Sequence, residues 1–184
     1  GMPQQRWISA RDASLTVNQS ALFIALGTGN VITNLDPQTY KKDWVVYVTD
    51  ANGIAVSNIT LTMKVLPLEY GKGTLQAIAG WPYAAGAVFC PNEDINYNGV
   101  LDAGEDANGS GTLEPGNVIS VSPGTVQTDA NGRATISLIY AESYVPWVKV
   151  KLRAEAVVSG TESSKESTFT VVGLTENQVA SGGD

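Results

Sequence analysis

The chain of 184 residues contains no histidine and a single cysteine. Without histidine there is no Ser-His-Asp or Cys-His catalytic arrangement and no His-ligated zinc. One cysteine, Cys90, cannot close an internal disulfide, and it reads as a small hydrophobe beside a loop. No apolar run approaches the roughly 20 residues of a membrane span, and the run Leu22 to Leu26 is short enough to be a strand. Lysine and arginine are missing from residues 73–132, which carry seven acids: Glu93, Asp94, Asp102, Glu105, Asp106, Glu114 and Asp129. The chain has 18 acids and 11 bases, so outside this segment charges balance, 11 against 11. The segment holds the whole net charge of −7. Repulsion within it demands a cation or solvent screening, and an acidic chain lacking a basic stripe excludes nucleic acid as a partner.

Glycine is abundant, and Val, Ile and Thr recur in short runs closed by turn residues. Ile59, Leu61, Met63 and Val65 alternate with Thr60, Thr62 and Lys64, up to Pro67, which is expected to end the strand. Ala134, Ile136, Leu138 and Tyr140 alternate in the same way. Further on, Val148, Val150, Leu152 and Ala154 share one face, leaving Trp147, Lys149, Lys151, Arg153 and Glu155 to solvent. A shift of one residue there would bury the charged row, so the register is firm. Trp44 to Val48 and the stretch "STFTVVG" add strands. Short strands with turn chemistry between them, and no helical period, predict an all-β sandwich. "TDANG" occurs at Thr49 to Gly53 and again at Thr128 to Gly132, and is read as one turn used twice in a single domain. From Gly71 to Gly116 no period persists, and a connection of that length calls for something that orders it.

Those ordered segments carry a family resemblance. "VTDANGIAVSNITLTMKV", followed by "VQTDANGRATISLIY" and "VKVKLRAEAVVSG", resembles the bacterial immunoglobulin-like domains of the invasin and intimin type. The resemblance implies an immunoglobulin-like β-sandwich over 14–173, interrupted by an insert at 71–117 that the plain family pattern lacks. It also implies an extracellular or cell-surface setting, neighbouring domains in a longer chain, and adhesion to a surface protein or glycan receptor, or service as a spacer. No catalytic residues transfer from it. Residues 1–13 read as an N-terminal extension, with Gly1 ahead of Met2 as a tag remnant and a signal peptide expected upstream. Residues 174–184 read as a polar tail or linker.

The insert contains the loop pattern of a calcium site. Asp94, Asn96 and Asn98 stand at positions one, three and five, and Gly99 makes the turn at six. Val100 offers a carbonyl at seven, Asp102 stands at nine and Glu105 at twelve can bind through both oxygens. Leu101 at eight is the expected apolar anchor. A second loop follows, with Asp106, Asn108, Ser110 and Gly111, the Thr112 carbonyl, and Glu114 at nine. Asn117 falls at its position twelve, so Glu93 or Glu105 would have to be shared. The flanks lack the two helices of an EF-hand. Calcium, needing six to eight hard oxygens, suits the set better than magnesium, and the charge count suggests a Kd of about 10⁻⁴ to 10⁻⁵ M. The bland alternative is a polar surface loop that binds nothing.

The sequons at Asn18, Asn58 and Asn108 are read as chance. Trp81 and Tyr83 give the runner-up reading, a carbohydrate-binding accessory module with those two rings as its platform. Tyr144 to Trp147 reads as a corner packing motif. Paired carboxylates could serve glycoside hydrolysis, but each is claimed by the calcium pattern, and no enzyme is expected.

Overall fold

A computed structural model describes residues 22–78, 81–158 and 161–173. The segments 1–13 and 174–184, Ser14 to Ala21 of the first strand stretch, and the Asn18 sequon lie outside them. Ten strands occur among the described residues: β1 (Phe23–Thr28), β2 (Thr33–Asp36), β3 (Thr39–Thr49), β4 (Thr60–Ile78), β5 (Trp81–Pro91), β6 (Ile119–Ser122), β7 (Thr125–Gln127), β8 (Arg133–Ala141), β9 (Val148–Val158) and β10 (Thr161–Thr170). One turn of 3₁₀ helix, Glu142–Tyr144, joins β8 to β9.

The strands form two antiparallel sheets, making an immunoglobulin-like β-sandwich. One has the order β1-β3-β8-β6, with β2 also on β3; the other has the order β10-β9-β4-β5, with β7 also on β4. The period-two segments supply the core between them. Trp44, Val46 and Val48 of β3 face Ala134, Ile136, Leu138 and Tyr140 of β8 within one sheet. Leu61 and Met63 of β4 and Val148, Val150, Leu152 and Ala154 of β9 fill the other side. The outward row of β9 carries ion pairs, Arg153 meeting Glu155, Glu162 and Glu166. Lys42 also lies on the inward row of β3, only 7% exposed, and its ammonium donates to the Gly29 carbonyl (2.8 Å). Burial pushes its pKa down.

Both "TDANG" segments are the same turn. Asp50 Oδ1 accepts the N–H groups of Asn52 and Ile54, and Asp129 Oδ1 those of Asn131 and Arg133. Gly132 has φ +68° and lies so close to the Val48 carbonyl, 2.5 Å from where a Cβ would stand, that no side chain fits.

Two expectations need correcting. Pro67 does not end its strand: β4 runs on to Ile78 after a register shift between Pro67 and Glu69. Proline lacks an N–H, so a strand tolerates it at such an irregularity. The segment 71–117, expected to lack regular structure, opens with the end of β4 and all of β5. Beyond the contact of Gly71 N–H with the Trp147 carbonyl, β4 has only β5 as a partner among the described residues, where Lys72–Ile78 runs in a two-stranded ribbon. What stays irregular is 92–118, which leaves the β5 edge of one sheet and enters the β6 edge of the other.

Candidate functional site: the acidic loop

Residues 92–118 have no ladder to satisfy their backbone, so side-chain oxygens do the work of one. Asp94 accepts the N–H of Asn98 on Oδ1 (3.0 Å) and that of Gly99 on Oδ2 (2.8 Å). Asn96 Oδ1 takes the Asn98 N–H as well (2.9 Å), and Asn98 Oδ1 takes that of Val100 (2.6 Å). Glu105, 5% exposed, accepts the N–H of Ile95 (3.0 Å) and of Asp102 (2.9 Å). Asp102 Oδ2 receives the side-chain amides of Asn96 (2.8 Å) and Asn98 (2.9 Å). Asp94, Asn96, Asn98, Asp102 and Glu105 therefore share one curl of chain.

The second loop repeats the first. Asp106 accepts the N–H of Ser110 and of Gly111, both at 2.9 Å, and Asn108 Oδ1 accepts that of Ser110 at 2.9 Å. The Ser110 hydroxyl donates to the Thr112 carbonyl (3.0 Å). Glycine or Tyr97 takes a left-handed conformation at the same places in both loops: Tyr97 and Gly109, Gly99 and Gly111, Gly104 and Gly116. The chain itself explains this. "EDINYNGVLDAG" (Glu93 to Gly104) and "EDANGSGTLEPG" (Glu105 to Gly116) are two copies of one unit of twelve, a repeat that the calcium pattern alone does not display.

Within the unit the leading glutamate has a fixed duty. Glu105, which opens the second copy, accepts the N–H of Asp102 in the first. Asn117, where the second loop would want a carboxylate, has no comparable role among the described bonds. Glu93 serves instead: 4% exposed, it accepts the N–H of Glu114 (3.0 Å) on Oε2 and the Asn108 amide (3.0 Å) on Oε1. Glu93 N–H also donates to the Glu114 carbonyl (2.9 Å), which ties the start of the loop to its end. Sharing of Glu93 or Glu105 was the expectation; the bonds close the two loops through Glu93.

The loop is fastened to the sandwich by polar contacts, not by Leu101, which is 37% exposed. Glu114 Oε2 accepts from Lys72 (2.8 Å), from the Tyr70 hydroxyl (3.0 Å) and from Asn108 (2.6 Å). The Lys72 ammonium, then the Tyr70 hydroxyl, hold the Glu114 pKa below the usual carboxylate range, and Glu114 raises that of Lys72 in turn. Burial raises that of Tyr70. Apart from Glu114, no loop carboxylate meets a cation among the described residues: no ion pair forms at Glu93, Asp94, Asp102, Glu105 or Asp106.

Among the described residues no group of three or more acidic or cysteine side chains converges on one point as a metal centre. Amide and main-chain oxygens would have to make up much of any ligand set. Val100 and Thr112, expected to ligate through carbonyls, lie exposed in the loops. Cys90, expected as a small hydrophobe beside the loop, is half-buried and packs against the core. The side chains of Trp81 and Tyr83 lie outside the described residues, although their backbone is in β5.

No family model matches the chain, and no curated protein matches it. Among solved structures it is similar to the GAE domain of GGA2p from Saccharomyces cerevisiae, at 13% identity, over 86% of this chain and 96% of that one, with a TM-score of 0.29. It is also similar to the yeast GGA1 GAE domain-P21 structure, at 15% identity, over 84% and 96%, with a TM-score of 0.29. Likeness this slight carries no argument about function.

Proposed function

We propose that the chain is a non-enzymatic module of an extracellular or cell-surface protein, an immunoglobulin-like sandwich stiffened by calcium in the loop 92–118. Its task is adhesion, or spacing within a longer surface protein, as the resemblance to invasin-type domains implies. The observation that carries the metal reading is the pair of buried carboxylates, Glu93 and Glu105, with no cation beside either among the described residues. Burying an anion without a counter-charge is costly, and hydrogen bonds from neutral amides offset only part of that cost.

The donor chemistry fits. Asp94, Asn96, Asn98, the Val100 carbonyl, Asp102 and Glu105 would hold one ion. Asp106, Asn108, Ser110, the Thr112 carbonyl and Glu114, with Glu93 shared, would hold a second. All are hard oxygens, the kind calcium takes in flexible sets of six to eight. Bound calcium supplies positive charge and a fixed centre for the loop; the chain does the rest by presenting oxygens already held by backbone N–H groups.

Thermal unfolding in calcium, in magnesium and in chelator tests this. Calcium at a hundred times its Kd should stabilise the fold by about 2.7 kcal/mol, chelator should remove that gain, and magnesium should give less. Identical melting temperatures in all three would refute the metal.

A further inference from the structure

We propose a second binding site, for a neutral saccharide, in the cleft between the end of the acidic loop and the corner joining β8 to β9. The cleft has a volume of about 560 Å³ and is walled by Tyr70, Lys72, Glu114, Ser143, Tyr144 and Trp147. That lies within the range of about 300–1,000 Å³ usual for small-ligand sites. Gly71 and Gly73 leave its β4 floor bare. A Cβ at Gly71 would meet the Trp147 ring at 3.1 Å and the Phe89 ring at 3.0 Å, so the missing side chain is what lets both rings lie against the strand.

The lining has two kinds of chemistry in the same place. Trp147 and Tyr144 are half-buried rings packed on the core, each with an apolar body and a polar tip. Beside them stand groups with spare hydrogen-bonding capacity. The hydroxyls of Ser143 and Tyr144 hold no bond among the described residues, and Glu114 takes all three of its donors on Oε2, leaving Oε1 open. A sugar ring matches both halves: its C–H face covers an aromatic ring while its hydroxyls donate to Glu114 Oε1 and accept from Ser143 and Tyr144.

The charges select against other ligands. Lys72 and Glu114 form a neutral pair, so the cleft offers an anion little net attraction. A wholly apolar partner would cover that pair and return no hydrogen bond, which is costly. This site uses neither Trp81 nor Tyr83. It shares Glu114 with the proposed second calcium ion, so an ion on Glu114 Oε1 would compete with the sugar hydroxyl there. The corner motif at Tyr144 to Trp147 thus both packs and lines a cleft.

The intact chain is titrated, in calcium and in chelator, with cellohexaose, maltohexaose, xylohexaose and mannohexaose, and with oligogalacturonate as the acidic probe. Tryptophan fluorescence and calorimetry are the readouts. One or more neutral probes should bind in at least one condition, and Trp147→Ala should weaken binding by about tenfold or more. Because Trp147 packs on the core, Ser143→Ala and Tyr144→Phe are measured beside it. Each deletes one hydroxyl, should leave the melting temperature unchanged, and should weaken binding by about threefold to tenfold. Failure of every neutral probe, binding of the acidic probe alone, or full affinity in the Ser143→Ala, Tyr144→Phe double variant would overturn the site.

Discussion

The sandwich and its acidic loop solve the same problem by opposite means. In β3, β8 and β9 the backbone is satisfied by neighbouring strands, and the side chains are free to be apolar and to pack. In 92–118 no strand is available, so Asp94, Asp106, Glu93 and Glu105 satisfy the backbone with their own oxygens. One region is stabilised by removing carbon from water, a force without direction and almost indifferent to ions. The other is held by directed bonds to carboxylates whose mutual repulsion it must contain. Stability and ion sensitivity should therefore be separable along this chain.

The sharpest break in that separation would come from the core. Leu138→Ala, at a fully buried position, should cost about 3 kcal/mol, equally in calcium and in chelator. A calcium-dependent cost there, read from denaturant titrations, would mean the two regions are not independent. Glu105→Ala comes next, at about 2 kcal/mol, because the N–H groups of Ile95 and Asp102 lose their acceptor. It should also shrink the calcium-induced rise in melting temperature; an undiminished rise would put the ion elsewhere. The smallest effect is a gain. Lys42→Met should stabilise by about 1 kcal/mol, since the ammonium has one acceptor among the described residues and an apolar surround. Burial lowers the Lys42 pKa in the fold, so its penalty is full below that lowered value and fades as pH rises through it towards the value of the unfolded chain. The advantage of Lys42→Met should narrow in alkali, and a constant difference would exclude the charge as its cause.

Where one face of a strand is buried, the residues announced it. Leu61 and Met63, Ala134 to Tyr140 and Val148 to Ala154 alternate because the sheet pleat alternates, and each set is buried as expected. The Ala- and Gly-rich ribbon of late β4 and β5 was not legible. Its described side chains show no buried face, and Gly71 and Gly73 are there for what they lack. Pro67 misled for a related reason: its missing N–H breaks a regular ladder but not one already shifted. β10 began earlier than "STFTVVG" suggested, because an edge strand facing solvent can be written in Ser, Glu and Lys. Lys42 was legible in principle, since Tyr40 and Trp44 on either side place it on the inward row.

In the acidic loop the calcium pattern picked out Asp94, Asn96, Asn98, Asp102 and Glu105, which hydrogen-bond within one curl, and separately Asp106, Asn108, Ser110 and Glu114. The pattern itself begins at Asp94, so Glu93 entered only as a donor that might be shared, and its bonding role matching that of Glu105 was not legible. Leu101 was overestimated for the same reason. The template comes from loops fastened by apolar contact between helices, whereas here Tyr70 and Lys72 reach out to Glu114.

Because each copy of the unit borrows the opening glutamate of the next, and the last borrows from the first, the two copies form a ring that has no weak end. Any unit added to the loop would therefore have to preserve the reach of its last copy back to Glu93.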